Sequence, residues 1–272
     1  MAIEFVDRIP TYPGRIKFTK EDGTVIYGVW ERADNPTVEG TPLNAATLNA
    51  MQANNGLSAD TEFFIAKGGS DVTGNGSQAR PYASFAKTLS VLPRNLNGHD
   101  VYFHIGDGVY AETVVMYNFF GGAIIFASGT FTISGLQIIN STMMINGANV
   151  MIEGYGQTTY GLTVQGYGRF RSANNLTISN TGIGIHVSNG SCVELNGVTT
   201  TINSTNIAVH ANGGSTCSLG TLTGVSNETG IDVSSAAMVS YLNTDIGVRG
   251  ILHSTDVGGR IYAGKQVNAP QY

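Results

Sequence analysis

The sequence predicts an all-β protein wound as a parallel β-helix, and three observations carry that reading. Glycine is frequent, at 36 of 272 residues, only 12% of residues are charged, and no Ala/Glu/Lys/Leu-rich helical bias is present; this balance favours many short strands joined by turns. From Val101 to about residue 250, short β-runs follow one another, separated by Gly, Asn, Ser and Thr. Within that stretch one apolar pattern returns every 24 residues: TGIGIHVSNG at 181–190, TNIAVHANGG at 205–214 and TGIDVSSAAM at 229–238.

A repeat of 20 to 50 residues denotes a solenoid or propeller, and these copies contain β-runs but no helix. Alternation places Ile183, Ile185 and Val187 on an inward face, as it does Ile207, Val209 and Ala211, then Ile231 and Val233. Gly184 and His186, Ala208 and His210, and Asp232 and Ser234 fall on the outward face. An earlier copy, GLTVQGYGRF from Gly161, fits a 23-residue step, and Leu195 aligns with Leu219. Three short strands and three turns use about this many residues per rung. Five rungs between residues 123 and 248, at about 4.8 Å each, make a prism ~25 Å tall. In this register Ile185, Val209 and Val233 form one inward column, so Asp at Val209 is damaging while Asp at Ala208 is harmless.

The other elements follow in order. Residues 15–32, RIKFTKEDGTVIYGVWER, read as a hairpin turning at Glu21-Asp22-Gly23. Thr41 as N-cap and Pro42 at the first helical position open a helix with Leu43, Ala46 and Ala50 on one face. The Gly-rich stretch 67–81, KGGSDVTGNGSQARP, is a loop; it lacks the lysine and strand-before, helix-after spacing of a phosphate cradle. SFAKTLSVLP places Phe85, Leu89 and Leu92 at helical spacing and ends at Pro93. The expected division is 1–58 as an N-terminal segment, 59–100 as strand, loop and capping helix, 101–250 as the parallel β-helix and 251–272 as a C-terminal β tail.

Composition narrows the partners. A net charge of -5 without a basic stripe argues against nucleic acid or an anionic membrane. No run spans a bilayer, and MAIEFVDRIP is not a signal peptide. Cys192 and Cys217 read as free thiols, one position out of register, with Cys217 inward and Cys192 outward.

FFIAKGGSDVTGNGSQARPYASFAKTLSVLP followed by VYFHIGDGVYAET resembles the start of a pectate-lyase-like right-handed β-helix. RIPTYPGRIKFT with ERADNPTVEGTPLNAATLNAM resembles the leading segment of tail and receptor-binding proteins from phages and prophages of Gram-positive bacteria. The resemblance implies a homotrimer within the virion, assembled in the bacterial cytoplasm. It also implies attachment to other tail or baseplate proteins through residues 1–58 and a β-helical spike facing the host.

Glycoside hydrolysis needs two carboxylates about 5 to 10 Å apart. Between residues 123 and 248 the acids are Glu153, Glu194, Glu228, Asp232 and Asp245. The 24-residue step stacks none on another acid, which leaves Glu228 and Asp232 as weak catalytic candidates. Glu194 is expected to pair with Arg171. His186 and His210 share an outward column whose next member, Ser234, supplies no third metal ligand, so no metal or cofactor is expected. Tyr155, Tyr160 and Tyr167 are expected first to pack at rung edges, with stacking on sugars as the alternative for each. The leading expectation is a receptor-binding or structural tail protein that holds host-surface polysaccharide through Tyr167, Arg169, Arg171, His186 and His210 without cutting it. A glycan-degrading tailspike is the alternative, and a free-standing secreted lyase is third.

Overall fold

The computed structural model describes residues 15–29, 56–249, 253–256 and 258–266. The chain divides into two compact units, Met1–Asn55 and Gly56–Tyr272. In the first, β1 (Arg15–Thr19) and β2 (Val25–Val29) pair antiparallel, with Arg15 opposite Val29 and Thr19 opposite Val25. Gly23 takes a φ of 83° at the turn, and Asp22 accepts the Thr24 amide at 2.9 Å. The helix expected from Thr41 lies outside the described residues.

The second unit is a parallel β-solenoid of about seven turns. Its elements are β3 (Thr61–Ile65), α1 (Phe85–Ser90), β4 (Val101–Ile105), β5 (Gly108–Tyr117), β6 (Ile124–Ser128), β7 (Thr130–Ile139), β8 (Thr142–Ile145), β9 (Asn149–Gln165), β10 (Arg169–Ser172), β11 (Leu176–Val187), β12 (Cys192–Asn203), β13 (Ile207–Ala211), β14 (Thr216–Thr223), β15 (Thr229–Val233), β16 (Met238–Asp245), β17 (His253–Thr255) and β18 (Arg260–Gln266). Their parallel pairings form three ladders. Face A runs through β3, β4, β6, β8, β10 and the first halves of β12, β14, β16 and β18. Face B runs through the first halves of β5, β7, β9 and β11 and continues in the second halves of β12, β14, β16 and β18. Face C takes the second halves of β5, β7, β9 and β11, then β13, β15 and β17. The solenoid therefore extends beyond the five rungs expected between residues 123 and 248: β3 and β4 precede them, and in the C-terminal β tail β17 and β18 continue its ladders.

Inward side chains stack turn upon turn. On face A the column Val101, Ile124, Met143, Phe170, Val193, Cys217 and Val239 is fully buried. At the N-terminal end α1 covers this core. Its Phe85 ring packs 5.4 Å from Tyr110, 5.5 Å from Phe126 and 5.6 Å from Phe131. Ser84 caps the helix by accepting the Lys87 amide at 3.0 Å. The carboxylate of Glu112 accepts the Phe85 and Ala86 amides. The helix ends at Ser90, short of Pro93, with Leu89 and Leu92 buried as expected. Asp71 anchors the Gly-rich loop to the cap by accepting the Ala83 and Ser84 amides and the Ser84 hydroxyl. Burial raises its pKa, but these hydrogen bonds outweigh that effect and hold the carboxyl below its ordinary value.

The repeat is less regular than the sequence suggests. The 23-residue step holds between Leu162 and Ile185, and the 24-residue step between Ile185 and Val209. The next step is 22 residues, so Val209 stacks on Ile231 and Ala211 on Val233. The expected column of Ile185, Val209 and Val233 is thereby corrected. Its cause lies one corner earlier, where Leu195 still pairs with Leu219 but Thr199 pairs with Thr221. Residues 196–198 fill in one turn what Gly220 fills alone in the next. A Cβ on Gly220 would lie 2.5 Å from the Val198 carbonyl oxygen. Because the difference is two residues, the in/out alternation survives and the shift leaves no polarity signal in the sequence.

A second correction concerns Ala208, which is 0% exposed rather than outward. Gly161, Gly184, Ala208 and Gly230 are all buried where the chain turns onto face C, each beside an inward Leu, Ile or Val. A Cβ on Gly184 would stand 2.6 Å from the Ala208 carbonyl oxygen and 2.7 Å from Cγ2 of Ile202. The bend turns two consecutive residues inward, and the first of the two is small in all four turns.

Candidate functional site

The shifted register remakes the outward column of face C. Thr163, His186, His210, Asp232 and Ser254 are now in line, so Asp232, not Ser234, follows His210. The rings of Tyr160 and His186 stack at 5.2 Å, and those of His186 and His210 at 5.2 Å. His210 Nε2 lies 3.7 Å from Asp232 Oδ2. Burial, and after it the neighbouring His210, lowers the pKa of His186 to about 4, so its imidazole is neutral at neutral pH. The Nδ1 atoms of His186 and His210 are buried without a hydrogen-bond partner among the described residues, and His210 Nε2 also lies 3.4 Å from Asn212 Nδ2. Among the described residues no group of three His, Cys, Asp or Glu is placed to hold a metal ion.

The corner feeding this column carries an excursion. Leu162 comes ten positions after Ile152 in β9, where Leu136 comes three positions after Ile133 in β7. Tyr160 leaves that excursion to stack on His186.

The remaining expected residues lie around the next corner. Tyr167 sits there with a φ of 65° and is 81% exposed. Its ring lies against the backbone of Gly190, where an added Cβ would come 2.7 Å from Tyr167 Cε1. Arg169 and Arg171 point outward on face A. Glu194 is in register with Arg171, but its ion pair is made diagonally with Arg169, Nη2 to Oε1 at 3.8 Å. The five binding candidates are thus split between faces A and C, with Tyr167 between them. Glu228 is exposed just before β15, four extended residues from Asp232, about 13 Å along the strand. Both cysteines are free, with Cys217 inward and Cys192 outward, and burial foremost, then Cys192, raises the pKa of the Cys217 thiol.

Sequence reasoning missed face B. One outward column there runs Val109, Thr132, Met151, Thr177, Thr201, Thr223 and Asp245. A second lies two residues back along each strand and includes Thr130 with Asn149, Asn175, and Thr199 with Thr221 and Asn243. Thr201 and Thr223 share a hydrogen bond at 3.0 Å, and Asn175 Oδ1 accepts the Thr199 amide at 2.9 Å. Neighbouring turns are about 4.8 Å apart and the two columns about 6.7 Å apart, so the hydroxyls and amides form a regular, mostly uncharged grid. At its N-terminal end the grid dips into an open groove of about 380 Å³ bounded by Val109, Thr132, Asn149, Met151, Asn175 and Thr177. The recurring Thr-x-Thr at 130–132, 199–201 and 221–223 was the available signal.

No family model matches the chain, and neither a curated protein nor a solved structure matches it. Among the described residues no helix is long and apolar enough to cross a membrane.

Proposed function

We propose that this chain is a receptor-binding or structural component of a phage tail or tail-like particle. In this reading it is a homotrimeric, right-handed β-helical spike, fixed to neighbouring tail proteins through residues 1–58, that holds a host-surface glycan without cutting it. The observation that carries the glycan reading is the repeated hydroxyl and amide surface of the solenoid. Thr, Asn and Ser recur outward turn after turn and offer many weak hydrogen bonds to a polyhydroxylated ligand, and three copies in one spike raise avidity without a strong single site. The N-terminal resemblance supports the virion location.

The test incubates purified protein with Gram-positive cell-wall polysaccharide and measures co-sedimentation together with new reducing ends or unsaturated sugars. Co-sedimentation with no new ends is expected. Fragments that disappear in Glu228→Gln or Asp232→Asn establish the tailspike hydrolase instead. Solution mass gives the assembly, and a monomer overturns the trimeric spike.

A further inference from the structure

We propose that the glycan is an uncharged polysaccharide and that it lies on face B parallel to the solenoid axis, seated at one end in the groove beside Val109 and Met151. This rests on the glycan-binding reading and adds the face, direction and charge class. The grid supplies the direction: Thr130 with Thr132, Asn175 with Thr177, Thr199 with Thr201 and Thr221 with Thr223 each offer a hydroxyl or amide pair at residues i and i+2, on turns about 4.8 Å apart, with Asn149 and Met151 on the turn between the first two pairs. A chain along the axis meets these pairs in succession, whereas one crossing the strands meets one pair only.

The lining sets the charge class. None of the groove's lining residues is titratable. Charges at its margin already have partners within the protein. The Lys67 ammonium lies 5.0 Å over the Tyr110 ring, Asp107 accepts the Thr130 amide at 2.8 Å, and Glu153 accepts Asn180 Nδ2. The outward arginines of the neighbouring turns, Arg169 and Arg171, are on face A. Against the exposed ammonium of Lys67 stand the carboxylates of Asp107 and Glu153 and, farther along the column, Asp245, so an anionic polymer is disfavoured on face B, while an uncharged one loses little on desolvation.

The contact chemistry selects a sugar. Val109 and Met151 are 59% and 42% exposed and flank Thr132 in one column. They offer apolar surface to the C–H face of a pyranose, and Thr130, Asn149 and Thr177 stand beside them to meet its hydroxyls. An extended peptide lying along the axis has no comparable purchase, because the backbone groups of β7 and β9 are consumed by ladders on both sides, and the edge that β5 leaves beside the groove runs across the axis, not along it.

The experiment uses the full-length protein on an array of soluble bacterial polysaccharides, uncharged and anionic, at low and high salt. Binding to at least one uncharged polymer is expected, unaffected by salt. It should weaken at least tenfold in Thr177→Arg and in Met151→Lys and stay unchanged in Arg169→Ala and Arg171→Ala. Thr132→Val, which keeps shape and removes one hydroxyl, is the milder variant and should weaken binding severalfold. Thermal melts confirm that each variant folds. Salt-sensitive binding to anionic polymers, lost in Arg169→Ala, moves the site to the Tyr167 corner and overturns the face B assignment while leaving glycan binding intact. Binding to none of the polysaccharides overturns both.

Discussion

Faces B and C share the strands β5, β7, β9 and β11, yet they use their outward positions in opposite ways. On face C the outward side chains are large and flat, and Tyr160, His186 and His210 stack at 5.2 Å, with the Nδ1 atoms of both imidazoles buried and without a hydrogen-bond partner among the described residues. On face B the side chains are short, and apart from links such as Thr201 to Thr223 their hydrogen-bonding capacity faces solvent. A rung spacing near 4.8 Å suits ring stacking, so flat rings pack against one another and bury their polar edges, while short hydroxyl side chains stay open to a partner. Side-chain size thus decides whether a ladder is packed on itself or open to solvent.

The strongest way to break this comparison is at the corner both faces share. Val209→Asp and Ala208→Asp each bury an unpaired carboxylate, since both residues are 0% exposed, and each should cost several kcal/mol in urea unfolding. Full stability in Ala208→Asp would mean that the corner does not turn two residues inward. Gly184→Ala adds only a Cβ at the same corner, 2.6 Å from the Ala208 carbonyl oxygen. It should destabilise by about 1–3 kcal/mol through overpacking, and an unchanged unfolding midpoint would refute that contact.

Acid sharpens the comparison, because the histidines whose pKa burial depresses, His186 and His253, are both on face C. His186 titrates near pH 6.5 when unfolded and near 4 when folded. Between those values the unfolded chain binds the extra proton, so stability falls as pH drops from about 6.5 to 4 and is fully retained above. His253, also lowered by burial, acts in the same sense. Melting temperatures measured across this range should decline less steeply in His186→Asn, while Thr177→Ser on face B leaves the slope unchanged. The smallest effect belongs to Arg169→Ala, whose exposed ion pair with Glu194 should contribute less than ~1 kcal/mol. A larger loss would mark that corner as structural.

The repeat itself, the free thiols with Cys217 inward, the cap helix with buried Phe85 and the 23- and 24-residue steps to Ile185 and Val209 were all legible in the sequence. Each depends on alternation or spacing within one or two turns. The 22-residue step to Ile231, the burial of Ala208 and the diagonal pairing of Arg169 with Glu194 were decided only by the tertiary structure. A corner shortened by two residues preserves alternation, so it leaves no local trace, yet it brought Asp232 rather than Ser234 under His210. A solenoid column is assembled from residues some twenty positions apart, and its membership depends on every corner between them. Local sequence therefore determined which residues face in or out along each straight run, and packing at the corners decided which of them became neighbours.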